Sequence, residues 1–86
     1  MRIILTDHAR QRAEERWITV REIESVIKFP DRIARDRRNP ELVLFKKVYY
    51  HKKLKKRHLL ILICDLGADL IRVITIIDTS KVTKYL

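Results

Sequence analysis

The chain has 86 residues, of which 47% are hydrophobic and 36% are charged, and its formal net charge is +9 with a pI near 10.1. This length suits one domain, which we expect to span residues 1–86, and the charge predicts attraction to polyanions, with nucleic acid first and an anionic membrane surface second. No run approaches the roughly 18 apolar residues of a membrane span, and the apolar run at residues 3–5 is too short for a signal peptide.

The N-terminal part of the chain predicts a strand followed by a helix. Residues 2–6 are short and rich in β-branched side chains, which favours a first strand. Thr6 or Asp7 can then cap a helix that begins near His8 and reaches about Arg16. The helix has few large apolar residues, so its buried stripe is thin.

A second helix is predicted by a T-x-x-E capping box formed by Thr19 and Glu22. Its apolar side chains recur at spacings of three and four, as expected for one buried face: Val20, Ile23, Val26 and Ile27. Pro30 ends the helix, because the residue before a proline is pushed out of the helical region.

After Pro30 the pattern changes to one typical of strands. We expect four strands, at residues 31–36, 42–51, 58–65 and 70–78. The connections are a turn at 37–41, a basic loop at 52–57 and a hairpin tip at 66–68 that holds the only glycine. The tail, residues 79–86, is polar and basic, and we interpret it as a helical turn or a docked extension.

These elements predict an α+β fold with the order β-α-α-β-β-β-β. Two N-terminal helices would pack on one face of an antiparallel sheet. The strands at 58–65 and 70–78 carry apolar side chains on both faces, so the second face also needs a cover. The C-terminal tail can supply part of it, and we favour a homodimer for the rest.

The first candidate site is a row of three side chains on the first helix, which we call the helix row: His8, Arg12 and Arg16. They are four residues apart and share one face, with Glu15 beside them. Arginine suits phosphate and histidine transfers protons near neutral pH, so these are parts for cleaving an RNA phosphodiester without a metal. The alternative is a solvated face whose arginines pair with nearby carboxylates, and spacing alone favours that alternative.

The second candidate is the basic block at residues 45–58. Cations contact phosphates and aromatic rings stack on bases, which predicts a nucleic-acid grip with RNA as the favoured ligand. We expect this grip to comprise Lys46, Lys47, Tyr49, His51, Lys52, Lys53, Lys55, Lys56 and Arg57. The alternative is a lysine-rich loop that keeps a sheet edge soluble. Lys81 and Tyr85 in the tail are weaker, supporting candidates.

Metal and redox chemistry are not indicated. The three histidines have no ligand-like spacing, and CxxC and HExxH motifs are absent, so we expect no metal and no cofactor. Three carboxylates flank strands at turns, where such groups commonly serve solubility and capping: Asp65, Asp69 and Asp78. Cys64 lies in an apolar run, which favours a buried thiol and a cytoplasmic protein without disulfides. Many charges and few glycines are typical of thermophile proteins.

Residues 6–19 follow the pattern T-x-H-A-x-x-R-x-x-E-R-x-I-T, which resembles an uncharacterised family of short prokaryotic and viral domains. That family typically continues with a helix ending in a Pro-Asp step, here Pro30-Asp31. It closes with an apolar strand containing a threonine, here Thr75. The resemblance spans nearly the whole chain, but Trp17 stands where the pattern favours a small residue, often glycine.

The family is similar to a distant branch of the RelE/ParE/BrnT-like toxins, which include small basic ribonucleases of toxin–antitoxin systems. The resemblance implies a RelE-like fold, with His8, Arg12 and Arg16 as signature positions and Thr75 as their partner across the sheet. The alternative for Thr75 is that it is simply a β-branched residue of the core. We therefore expect an RNA-binding protein or a metal-independent ribonuclease with an acidic antitoxin partner. The rivals are a non-catalytic nucleic-acid-binding module and a structural dimer whose charge reflects a hot or saline habitat.

Overall fold

The computed structural model describes residues 2–86, and in this range one five-stranded sheet is flanked by three helices. The elements in chain order are β1 (Arg2–Leu5), α1 (Asp7–Glu15), α2 (Val20–Lys28), β2 (Arg32–Arg35), β3 (Leu42–His51), β4 (Lys56–Leu66), β5 (Leu70–Thr79) and α3 (Val82–Tyr85). The α+β class is confirmed. The predicted order is confirmed in part, because the tail adds the short helix α3 and β4 begins inside the expected loop.

The sheet is mixed, so the prediction of an antiparallel sheet is wrong. The strand order is β1-β5-β4-β3-β2, and β2 to β5 form antiparallel neighbours. β1 instead pairs parallel with β5, with Ile3 opposite Ile71. The two partners lie at opposite ends of the chain, and neither carries a local sequence signal that specifies the direction of their pairing.

Threonine hydroxyls fix the start of both N-terminal helices. Thr6 caps α1 by accepting a hydrogen bond from the backbone of Ala9 at 3.1 Å. Thr19 caps α2, and the predicted capping box with Glu22 is present in both directions. These bonds satisfy donors that the first helical turn leaves without partners, and each cap typically contributes about 1 kcal/mol.

α1 ends in a Schellman motif centred on Trp17. The backbone N–H of Ile18 donates to the carbonyl of Ala13 at 2.8 Å, and that of Trp17 donates to Glu14 at 3.2 Å. The motif requires a left-handed residue after the C-cap, and Trp17 takes that conformation with a φ of 56°. Glycine adopts it without strain, whereas a side chain with a Cβ costs about 1–2 kcal/mol.

The core lies between the two helices and the sheet. α2 contributes Ile23 and Val26, and the facing strands contribute Leu60, Leu62 and Ile76, all of which are at most 1% exposed. Alternation along β4 buries side chains on the second face as well, and α3 packs there against β4. The tail therefore supplies part of the predicted cover, and the homodimer stays a prediction.

Cys64 is fully buried on β4. Desolvation of the thiolate raises the pKa of this thiol from 9.0 to about 12, which leaves it as an unreactive thiol near neutral pH. The expectation of a buried thiol is confirmed. No helix in residues 2–86 is long and apolar enough to cross a membrane.

The Schellman geometry predicts an inverted order of stability at position 17. Trp17→Gly and Trp17→Ala remove the same indole, but only alanine keeps the left-handed strain. We expect the glycine variant to be more stable by about 1 kcal/mol, opposite to the usual order within a helix. Urea unfolding of both variants measures the difference, and an alanine variant of equal or greater stability would contradict it.

Candidate functional site

The helix row lies along a stretch of β5 that β1 does not cover. β1 ends at Leu5, opposite Val73, and β5 has a register irregularity directly after that point. There the hydroxyl of Thr6 donates to the carbonyl of Ile74 at 2.8 Å. Side chains of α1 thus occupy the β5 edge where a further strand would otherwise pair, which limits edge-to-edge association.

His8 is held against this edge by Thr75. Its Nε2 lies 2.9 Å from the threonine hydroxyl, and the imidazole is otherwise exposed. The hydroxyl can donate or accept, so it fixes the ring in either tautomer. The second ring nitrogen, Nδ1, has no hydrogen-bond partner among residues 2–86. An exposed imidazole with one nitrogen anchored and the other accessible has the arrangement of a proton-transfer group.

The two arginines of the helix row differ in what they contact. The Nε of Arg12 reaches the carbonyl of Ile76 at 3.5 Å, and its guanidinium lies 3.9 Å from the carboxylate of Glu15. Arg16 is exposed, and no carboxylate in the described part of the chain forms a salt bridge with its guanidinium. Arg12 is therefore partly engaged within the protein, whereas Arg16 presents its charge to solvent.

Next to the C-terminal end of α1 lies a polar group that we call the buried cluster: Tyr49, His51, His58 and Asp78. Asp78 has a side chain that is 3% exposed. Its carboxylate accepts hydrogen bonds from the Tyr49 hydroxyl at 2.8 Å and from Nδ1 of His58 at 2.9 Å. These bonds join β3, β4 and β5, and they offset the large cost of removing a carboxylate from water.

His51 connects the buried cluster to α1. Its Nδ1 accepts a hydrogen bond from the backbone of Leu54 at 3.2 Å, so the proton of a neutral ring is on Nε2. That Nε2 donates to the carbonyl of Arg16 at 3.1 Å and lies 3.8 Å from the Asp78 carboxylate. Nε2 of His58 is buried without a partner in residues 2–86, an arrangement that typically costs about 1–3 kcal/mol.

The pKa of Tyr49 is raised well above its ordinary value of 10.0. Burial is the main cause, because it disfavours the phenolate, and the hydrogen bond to Asp78 adds to it. Tyr49 is therefore a neutral donor throughout the physiological range. Its role is to stabilise the carboxylate of Asp78, and it cannot serve as a base.

The buried cluster was not predicted from the sequence, because Asp78 was expected at a surface turn. Asp78 ends an apolar strand and precedes polar residues, which is also the position of a solvent-facing turn carboxylate. The hairpin of β3 and β4 offered a signal, since it brings Tyr49 directly opposite His58. Polar side chains that meet across a sheet beside apolar neighbours indicate a hydrogen-bonded group within the core.

The basic block is divided between different surfaces. Tyr49 and His51 belong to the buried cluster, and Lys46 and Lys47 donate to the carbonyls of Tyr85 and Phe29 at 2.7 Å each. The remaining members are exposed at the turn between β3 and β4 and at the start of β4: Lys52, Lys53, Lys55, Lys56 and Arg57. The structure thus leaves a smaller cationic surface at the turn than the sequence predicted.

A cleft of about 650 Å³ opens between the start of α2 and the β3–β4 turn, and we call it the Trp17 cleft. It is lined by Trp17, Thr19, Arg21, Glu22, Ser25, Tyr49, His51, Lys52 and Lys53. Trp17 meets the His51 ring edge-to-face, with centroids 6.1 Å apart. The helix row is not part of this lining, but Arg16 precedes Trp17 directly and connects the two regions.

The tail residues Lys81 and Tyr85 lie away from the helix row. α3 packs on β4, and the carbonyl of Tyr85 accepts from Lys46, whose side chain points to the face opposite the core. Among residues 2–86 there is no group of three or more histidine, cysteine or acidic side chains arranged to hold a metal ion.

We expect Asp78→Asn to be strongly destabilising, because an amide retains the shape but offers a weaker acceptor to two buried donors. The loss of free energy of unfolding is roughly 3 kcal/mol. The matched control is Asp65→Asn, which breaks an exposed pair with Arg72 and costs less than about 1 kcal/mol. Urea unfolding compares the two, and similar losses would refute a special role for Asp78.

Tyr49→Phe tests the raised pKa of Tyr49. The unfolded chain releases the phenol proton above about pH 10 while the folded protein retains it, so the free energy of unfolding falls as pH rises through that range. The Tyr49→Phe variant lacks this contribution, so its free energy of unfolding falls less steeply as pH rises. Urea unfolding between about pH 8 and about pH 11 measures both slopes, which would be equal if Tyr49 ionised normally in the folded protein.

Comparison with curated proteins and with solved structures finds no match. A family model described as "Domain of unknown function (DUF4258)" matches residues 5–78. The match contains the helix row, Thr75 and all four members of the buried cluster. Because it covers most of the chain, the protein belongs to the DUF4258 family.

Proposed function

We propose that this protein binds single-stranded RNA and cleaves it without a metal ion, as RelE/BrnT-like toxins do. The observation that carries the proposal is the imidazole of His8, anchored 2.9 Å from the Thr75 hydroxyl and exposed to solvent. Arg12 lies one turn further along α1, and Arg16 is the C-cap residue that directly follows the helix. A proton-transfer group beside two cations is the minimum arrangement for breaking an RNA phosphodiester.

In this mechanism the 2′-hydroxyl oxygen attacks the adjacent phosphorus and the bond from phosphorus to the 5′ oxygen breaks. The products are a 2′,3′-cyclic phosphate and a free 5′-hydroxyl. His8 carries one of the two proton transfers through Nδ1, as base or acid, and solvent carries the other. Arg16 stabilises the charge that develops on the phosphate, and Arg12 assists from its position beside the β5 edge.

The net charge of +9 supports the choice of ligand. A polyanion gains affinity from every phosphate that a lysine or arginine contacts, and such binding weakens steeply with added salt. The exposed cations at the β3–β4 turn extend the charged surface beyond the helix row. An acidic antitoxin is the corresponding protein partner, and it would compete with RNA for the same cations.

A second candidate is a nucleic-acid-binding module without catalysis. It is favoured by the contacts of Arg12, which reaches Ile76 and Glu15 and so partly serves to close the β5 edge. In this case His8 and Thr75 orient the helix for phosphate contacts alone. RNA binding that weakens with salt, with no shortened product, is the result expected for this candidate.

The test is incubation of labelled single-stranded RNA with the protein in the presence of a chelator. We expect cleavage that His8→Ala lowers by about 10²–10⁴-fold and Arg16→Ala by about 10²-fold. Arg10→Ala is the matched control, because Arg10 is an exposed arginine of α1 outside the helix row. RNA methylated at every 2′-oxygen lacks the nucleophile and should stay intact.

Thr75 acts through His8 and is a positioning residue. Thr75→Ser keeps a hydroxyl and should retain cleavage, whereas Thr75→Val should lose roughly tenfold, the value of one hydrogen bond. Intact RNA with all proteins at low salt would refute the ribonuclease. Equal cleavage by the wild type and His8→Ala would refute the assigned residue.

A further inference from the structure

Trp17 exposes a large aromatic ring at a position where the backbone favours glycine. Its φ is 56° and the residue is 54% exposed, so burial of the indole does not account for keeping it there. The ring forms one wall of the Trp17 cleft instead of filling the core. An aromatic ring kept at a strained position beside an open cleft indicates a contact with a ligand.

The charge of the cleft selects an anionic ligand. Its lining holds three cationic side chains and one carboxylate: Arg21, Lys52, Lys53 and Glu22. The carboxylate is engaged in the capping box, where Oε1 of Glu22 accepts from both the backbone and the hydroxyl of Thr19 at 3.0 Å. The cations therefore dominate the field at the mouth of the cleft.

The indole already attracts one of these cations. Nζ of Lys53 lies 4.6 Å from the ring centroid, a cation–π contact on an exposed face. The lysine stem is long and flexible, so a planar group of a ligand can take the place of the ammonium on the ring. The ammonium would then lie beside the ligand. Ser25 also lines the cleft, and its hydroxyl can supply a polar contact for the edge of such a group.

We propose that the Trp17 cleft holds one unpaired base of single-stranded RNA, stacked on the indole. Phosphates on either side of that base contact Arg21, Lys52 and Lys53. An aromatic platform bordered by cations is the combination that single-strand-binding proteins use, because every base has a π-face and every nucleotide a phosphate. This inference rests on the proposed function for the identity of the ligand, and it adds a base-binding subsite to the helix row.

His8 lies in the first turn of α1, and Trp17 lies two residues beyond the end of that helix. The helical stretch from His8 to Glu15 measures about 10 Å. Arg12 and Arg16 lie between His8 and Trp17 in the chain, so an RNA strand anchored in the cleft can pass both arginines on its way to the imidazole. The cleft would hold the RNA strand at one base, and the helix row would act on a phosphodiester bond further along that RNA strand.

Trp17 is the only tryptophan in the chain, so intrinsic fluorescence reports directly on the subsite. The experiment uses His8→Ala protein, to prevent cleavage, and two short RNA-type oligonucleotides of equal length, one normal and one without bases. We expect the normal oligonucleotide to quench the indole and to bind about tenfold more tightly than the abasic one. Equal affinity and no quenching would overturn the proposal.

Variants separate stacking from charge. With labelled oligonucleotides, Trp17→Gly should lose the tenfold preference for bases while Trp17→Phe retains most of it. Glycine suits the backbone at this position, and circular dichroism checks that the fold is kept. Phe29→Ala is the matched control, since Phe29 is an exposed aromatic at the other end of α2 and should leave the preference unchanged.

The outcomes for this subsite and for the ribonuclease are distinguishable. Base preference that depends on Trp17 in a protein that does not cut RNA supports the subsite and rejects catalysis at His8. Cleavage by the wild type together with base-independent binding rejects the subsite alone. A Trp17→Gly variant that keeps the full preference also rejects it, because another surface would then read the bases.

Discussion

A buried carboxylate is the constraint on which the sheet and its neighbouring helix depend. Asp78 accepts hydrogen bonds from Tyr49 and His58, so one side chain of β5 is tied to β3 and β4 at once. A one-residue shift in the register of β3 or β4 would leave that carboxylate in the core without one of its donors, at a cost of several kcal/mol. His51 extends the same group to the carbonyl of Arg16 and so fixes the end of α1.

The edge of β5 explains why the helix row combines structural contacts with an exposed cation. β1 covers β5 only as far as Val73, and side chains of α1 take over beyond it. His8 closes part of that edge and by the same bond acquires a fixed orientation. The guanidinium of Arg16, which follows Arg12 by four residues, makes no such contact with β5 in residues 2–86. The side chain that contributes least to closing the edge is thus the one most available to a phosphate.

Local patterns in the sequence predicted the elements, because caps, periodicity and breakers act within a few residues. The capping box at Thr19, the stop at Pro30 and the buried thiol of Cys64 all belong to this class. Features that depend on pairing between distant segments escaped prediction, namely the parallel partnership of β1 with β5 and the burial of Asp78. For the candidate site, spacing alone predicted the shared face of the helix row, whereas the Trp17 cleft requires the β3–β4 turn to fold back beside α2.

The contact between His8 and Thr75 joins residues 67 positions apart in the chain. A ribosome produces α1 before β5, the strand that anchors its imidazole, and contacts between residues so far apart in the chain form late in folding. A nascent chain therefore carries all three members of the helix row in an unassembled state. Any role that needs the anchored imidazole therefore begins only after β5 has docked.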